Sequence, residues 1–145
     1  MRQVSRFRSI FGPRHEPERH VPVASASHDS LLRLNVLGVG IHSGSRQAFL
    51  QEMERLSDHR LSAYVCFVNV HMVMEAERDS GFLQVVNEAD LNCPDGLPIA
   101  KSIGWFHAIR QRQIAGPDTL PLLLQMAQRT GKRVFVLGST PEVLA

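Results

Sequence analysis

The sequence predicts an α/β fold with a largely parallel sheet. Three observations predict it. Short apolar runs rich in β-formers recur along the chain, segments of helical periodicity follow them, and small or polar residues stand at the joins. At 145 residues the chain suits one domain of ordinary size.

Residues 1–29 carry Pro13, Pro17 and Pro22, scattered Arg and His, and no sustained period, so they read as a disordered basic tail. Within it, Arg6-Phe7-Arg8-Ser9-Ile10-Phe11 mixes cations with apolar side chains. That composition is shared by segments lying on anionic membranes and by unstructured leaders. The folded part is expected over residues 30–145. Leu32 to Leu37 predicts a strand, ended by Gly38-Val39-Gly40. Ser45 is the expected N-cap of a helix that presents Phe49, Leu50, Met53 and Leu56 on one face. Ala63 to Val68 predicts a strand buried on both faces, ended by Asn69. Met72, Val73 and Ala76 mark a short helix, and Phe82, Leu83, Val85 and Val86 a second. Leu91-Asn92-Cys93 then leads into the turn-forming Pro94-Asp95-Gly96.

Leu97 to Phe106 is predicted helical. The clearest helix follows Gly116-Pro117-Asp118: Leu120, Leu123, Leu124 and Ala127 share a face, Pro121 falls in the first turn, and Gly131 stops it. Lys132 to Leu137 predicts a last strand with Gly138-Ser139 at its end, and Thr140-Pro141 opens a new helix.

Composition excludes several function classes. A net charge of +2 is too balanced to argue for nucleic acid by bulk electrostatics. Cys66 and Cys93 both sit in apolar stretches and read as reduced, buried thiols of a cytosolic protein. No apolar run is long enough for a membrane span, and the amino terminus lacks the apolar core of a secretory signal.

Ligands of parallel α/β folds bind at the carboxyl ends of the strands, which directs attention to three places. Asp95 can act as a general base at a strand end, or simply bond its own backbone as aspartates in Pro-Asp-Gly turns do. Asn69 can orient a sugar hydroxyl or a diphosphate, although capping the next helix is the simpler role. Gly138-Ser139-Thr140 forms a small-residue loop before a helix and can favour an anion. His71 and His107 lie in apolar surroundings without a third ligand, and Glu75 and Glu77 read as a solvated helix face. No metal motif is present, and neither a metal nor a resident cofactor is expected.

Together these pieces resemble the WecG/TagA/CpsF glycosyltransferases, glycosyltransferase family 26. The matching blocks are Phe67-Val68-Asn69, then Ala89-Asp90-Leu91-Asn92-Cys93-Pro94-Asp95-Gly96, Gln113-Ile114-Ala115-Gly116-Pro117-Asp118, and Arg133-Val134-Phe135-Val136-Leu137-Gly138. They occur in the family's order, from about Leu34 to the last residue. The resemblance implies a Rossmann-like fold and an inverting enzyme. Such an enzyme moves a sugar, N-acetylmannosamine in the best-known cases, from a UDP donor to a polyprenyl-diphosphate-linked acceptor. It works peripherally at the cytoplasmic face of the membrane, in surface polysaccharide synthesis.

The resemblance makes Asp95 the base. Asn69, Gly96, Arg112, Gln113, Gly116, Asp118, Gly138, Ser139 and Thr140 are the expected substrate-binding positions. Two residues depart from the family pattern: Phe67 stands where the family has Thr, and Gln113 where it has Arg. Family members also continue well beyond position 145, so the chain reads as the N-terminal part of such a domain. Its open sheet edge is expected to drive aggregation or a homo-oligomer. The alternative to an enzyme is a truncated, non-catalytic relative that folds partly and at most binds a sugar nucleotide or a partner.

Overall fold

The computed structural model describes residues 30–58 and 62–138. The predicted tail, Ser139, Thr140 and the helix expected after them lie outside the described residues. The elements run β1 (Leu32–Val36), β2 (Val39–Ser43), α1 (Arg46–Asp58), β3 (Val65–Val68), α2 (Val70–Arg78), α3 (Ser80–Asn87), β4 (Leu91–Pro94), α4 (Leu97–His107) and α5 (Gly116–Thr130). Among the described residues no helix is long and apolar enough to cross a membrane.

The fold is α/β, and its parallel pair is β3–β4, in register from Val65 opposite Leu91 to Val68 opposite Pro94. The pair is covered on both sides. One apolar cluster joins Val68 to Val36, Val39 and Ile41 of the hairpin, Val73 and Ala76 of α2, Val86 of α3, and Ile99 and Ile103 of α4. The other joins Leu91 and Cys93 to Phe49 and Met53 of α1 and to Ile114, with Phe67 and Leu123 packed against it. Cover on both faces is why β3 reads as an unbroken apolar run.

Two expectations are corrected. The first strand does end at the Leu37-Gly38 turn, but Val39 and Gly40 open a second strand instead of a loop. Leu37 and Gly38 form a two-residue turn, both at positive φ (51° and 86°), and the chain returns antiparallel as β2. Val39, Ile41 and Ser43 point inward in strict alternation, but Gly40 and Ser43 disguise the pattern. The second correction is at Lys132 to Leu137, which pairs with no described strand and forms no regular element. Val134, Phe135, Val136 and Leu137 are all exposed, Phe135 at 85% and Leu137 at 88%. A strand needs a partner for its backbone, and composition alone does not supply one.

Side chains, not a backbone ladder, join the hairpin to β4. Gly40 donates its N–H to Asn87 Oδ1 (2.8 Å), and its carbonyl accepts from Asn92 Nδ2 (2.7 Å). Asn92 also reaches the Val86 carbonyl (2.9 Å), and its own N–H is taken by His42 Nδ1 (3.0 Å). Asn92 is fully buried, and its Oδ1 is left unpaired, a penalty offset by these bonds. Pro94 fits the strand because Asp95, the next residue, donates to the Val68 carbonyl (2.9 Å). By alternation the missing N–H of Pro94 faces away from β3, where its carbonyl accepts from Ile114 N (2.8 Å).

The helix boundaries follow their caps. Ser45 Oγ accepts from Ala48 N (3.1 Å), as expected for α1. Asp79 ends α2 and caps α3 through Gly81 N and Phe82 N. Gly131 closes α5 at φ 68°. Pro121 lies in the second turn of α5 rather than the first, because the helix already begins at Gly116 with Pro117 next to it.

Candidate active site

The carboxyl ends of β3 and β4 bring Asn69 and Asp95 side by side. Each is the first residue after its strand, and the two strands are in register up to that point. Neighbouring strands lie about 5 Å apart, so the two residues flank one notch.

Asn69 behaves as its simpler reading has it. In an extended conformation (φ −109°, ψ 177°), it accepts from Met72 N at 3.0 Å and caps α2. Its Oδ1 is thereby committed, and its amide N–H groups are what it can offer a ligand.

Asp95 does not behave as a turn aspartate. Its backbone N–H is in the sheet, and among the described residues no donor is bonded to its carboxylate. The residue is half-buried. Gly96 follows at φ 86°, ψ 150°, a conformation essentially reserved for glycine, and opens α4 without a side-chain cap. The Asp-Gly pair therefore sets a carboxylate with no bonded donor among the described residues where strand becomes helix.

Gly116 opens α5, whose N-cap Ala115 likewise supplies no side-chain bond. A Cβ at Gly116 would stand 3.8–4.0 Å from the Phe67 ring. The Phe67 ring thus packs beneath the start of α5 and into the α1-side cluster. Asp118 is exposed in the first turn of α5, where its charge complements the helix dipole and would oppose an incoming anion.

Arg112 and Gln113 are exposed on the loop before α5. Gln111, which no sequence motif marks, fixes that loop. Its Oε1 accepts from Ser43 Oγ and Gly44 N (both 2.8 Å), and its Nε2 donates to the Arg112 carbonyl (2.7 Å). No sequence signal separates Gln111 from Gln113. Gly138 is exposed at φ 122° at the end of the unpaired segment, so it is not gathered with the others.

The remaining polar candidates have structural roles. His107 Nε2 contacts the Asn35 carbonyl at 2.7 Å, tying the end of α4 to β1. His71, Glu75 and Glu77 are exposed on α2. Burial pushes the Cys93 thiol up to about 12, with Cys66 and Asp95 adding to the effect, and burial raises Cys66 too. Both thiols stay protonated and unreactive near neutrality. Among the described residues no group of three His, Cys, Asp or Glu side chains converges. A cleft of about 400 Å³, lined by His42, Gln51, Glu52, Arg55 and Asp90, opens at the amino end of β4. That is the opposite end from Asp95, and its charges are already engaged: Arg55 pairs with Glu52, and Asp90 accepts from Tyr64 N (3.0 Å).

A strand-end carboxylate thus stands with open helix starts beside it. Residues 34–145 match the model of the glycosyl transferase WecG/TagA/CpsF family. The chain belongs to that family. It is also 26% identical, over 98 residues, to the N-acetylglucosaminyldiphosphoundecaprenol N-acetyl-beta-D-mannosaminyltransferase of Bacillus subtilis (strain 168). The alignment covers 67% of this chain and 38% of the relative. The chain thus spans well under half the length of the curated relative it matches.

Proposed function

We propose that this family member acts in an inverting glycosyltransferase reaction, with Asp95 as general base. The acceptor hydroxyl attacks the anomeric carbon of a UDP-sugar, Asp95 takes the hydroxyl proton, and UDP departs with the electrons of the broken glycosidic C–O bond. The Bacillus subtilis relative's name supplies the substrate class, an N-acetylmannosamine-type donor and a polyprenyl-diphosphate-linked acceptor, and we assign the reaction to surface polysaccharide synthesis. Such an acceptor places the work at the cytoplasmic face of a membrane, with the protein peripheral to it.

The observation that carries this reading is the Asp95 carboxylate, unbonded among the described residues at the carboxyl end of β4. The Asn69 amide is beside it to orient a hydroxyl, and the uncapped starts of α4 and α5 turn backbone N–H groups toward the same end.

The test is transfer from UDP-N-acetylmannosamine to lipid-diphosphate-linked N-acetylglucosamine by the chain and its Asp95→Asn variant. Losing a general base should lower turnover by ~10²–10⁴-fold with the fold retained. Near-equal turnover would remove Asp95 from that role.

A second reading, a non-catalytic family member that at most binds a sugar nucleotide weakly, is favoured by the scarcity of charge for a diphosphate: Gly138 lies outside the sheet, and Gln113 offers no charge. UDP binding without any transfer by the unaltered chain would support it.

A further inference from the structure

The carboxyl-terminal half of α4 carries a feature that neither catalysis nor the core uses. Trp105, the single tryptophan of the chain, is 77% exposed, and Phe106 beside it is 56% exposed. Adjacent large aromatics at such exposure are costly in water unless something covers them. The segment that carries them is basic in sequence. From Gly96 to Pro117 the sequence contains Lys101, His107, Arg110 and Arg112 and no acid. Lys101, Arg110 and Arg112 are exposed with the aromatic pair.

The helix itself is anchored: Ile99, Ala100 and Ile103 are buried in the core, and His107 is bonded to Asn35. The aromatics are therefore displayed on a fixed platform and not on a fraying end. His107 also ties this end of α4 to the hairpin, whose turn shows a further exposed apolar residue, Leu37.

We propose that this surface seats the protein on an anionic lipid bilayer, with Trp105 and Phe106 entering the headgroup region and Lys101, Arg110 and Arg112 meeting the acidic headgroups. Charge decides for this occupant. A second copy of the chain would bring the same cations face to face, whereas an anionic surface complements them. Tryptophan is also the side chain best suited to the boundary between headgroups and acyl chains. The proposal deepens the reading of a lipid-linked acceptor by naming the surface that would bring the enzyme to it.

Trp105 is its own reporter. The full chain is mixed with phosphatidylglycerol vesicles, with phosphatidylcholine vesicles, and with phosphatidylglycerol vesicles containing brominated acyl chains. The expected result is a blue-shifted emission on the anionic vesicles only, quenched by the brominated lipid and reversed by salt. Trp105→Ser with Phe106→Ser, followed by co-sedimentation, should lower vesicle partitioning by at least about tenfold. Lys101→Glu with Arg110→Glu should do the same, since each cation near an anionic surface contributes measurably. All four positions are exposed, and circular dichroism verifies that the variants keep their fold.

An emission unmoved by anionic vesicles at low salt overturns the proposal, as does an equal shift on neutral ones. So does a blue shift that tracks protein concentration without lipid, which would show a second copy covering the patch. None of these readouts requires turnover. Failure of the transfer assay with intact vesicle binding would count against the catalytic reading alone, and the reverse result against this surface alone.

Discussion

Val65–Val68 and Val134 to Leu137 are nearly interchangeable as text: four apolar residues each, rich in β-formers, ended by a small or polar residue. In the structure they have opposite fates. Val65–Val68 lies against β4, with helices over both faces, and Val68 is completely buried. Val134 to Leu137 leaves the end of α5, where Lys132 is tied to Ser57 and Asp58 of α1, and then runs with its side chains in solvent. The difference lies in the neighbours. A β-run becomes a strand when another backbone accepts its hydrogen bonds and apolar faces cover it.

The strongest way to break this comparison is to place the same charge in both runs. Val68→Asp buries an unpaired carboxylate and should cost about 3–5 kcal/mol, enough to remove a cooperative thermal transition from a marginal domain. Val136→Asp should change stability by no more than ~0.5 kcal/mol and should improve solubility. If both variants melt alike, the exposed run is packed in solution.

Asn92→Ala sharpens the contrast from the buried side. It strips the Gly40 carbonyl of its partner and loosens the hairpin from β4, at an expected ~1–3 kcal/mol in denaturant unfolding. An unaffected midpoint would mean that the hairpin is held by its apolar contacts alone.

Protonation should disturb the same joint. Burial and the charge of Arg33 hold His42 below the ordinary histidine value, and its Nδ1 accepts the Asn92 N–H only when the ring is neutral. Between the lowered native value and the ordinary 6.5, the unfolded chain binds more protons than the folded one. This contribution to stability is therefore full above about pH 6.5 and is lost as pH falls through the native value. His42→Gln, with no titrating ring, should flatten stability measured between about pH 7 and 5 relative to the parent. An unchanged slope would place the sensitivity elsewhere.

The smallest effect concerns the open end of the sheet. With Gln113 on an exposed loop and Gly138 outside the sheet, UDP should bind the chain weakly, with Kd near or above ~1 mM by titration calorimetry. Gln113→Arg should tighten it by up to about tenfold through a charge-assisted contact. Micromolar binding by the parent would show that other groups compensate the phosphates.

Local chemistry made much of the fold legible in advance. Ser45, Asn69 and Gly131 each carry a side-chain or backbone preference that acts within a few residues, so the helix boundaries they set can be read directly. The same holds for Asp95 as a site candidate, since an acid directly after an apolar run falls at a strand end. What sequence could not reveal depends on residues far apart in the chain. The role of Asn92 rests on Gly40, 52 positions away, and that of Gln111 on Gly44, 67 positions away. The β2 strand was hidden because its glycine and serine are accepted there by packing, not by propensity.

Sequence by itself determined the alternation of helices and apolar runs, because capping and periodicity are satisfied within a segment. Tertiary structure alone decided which runs became strands, and that the Asp95 carboxylate is left without a bonded donor among the described residues. A hydrogen bond, or its absence, is settled only when distant parts of the chain are brought within reach of each other.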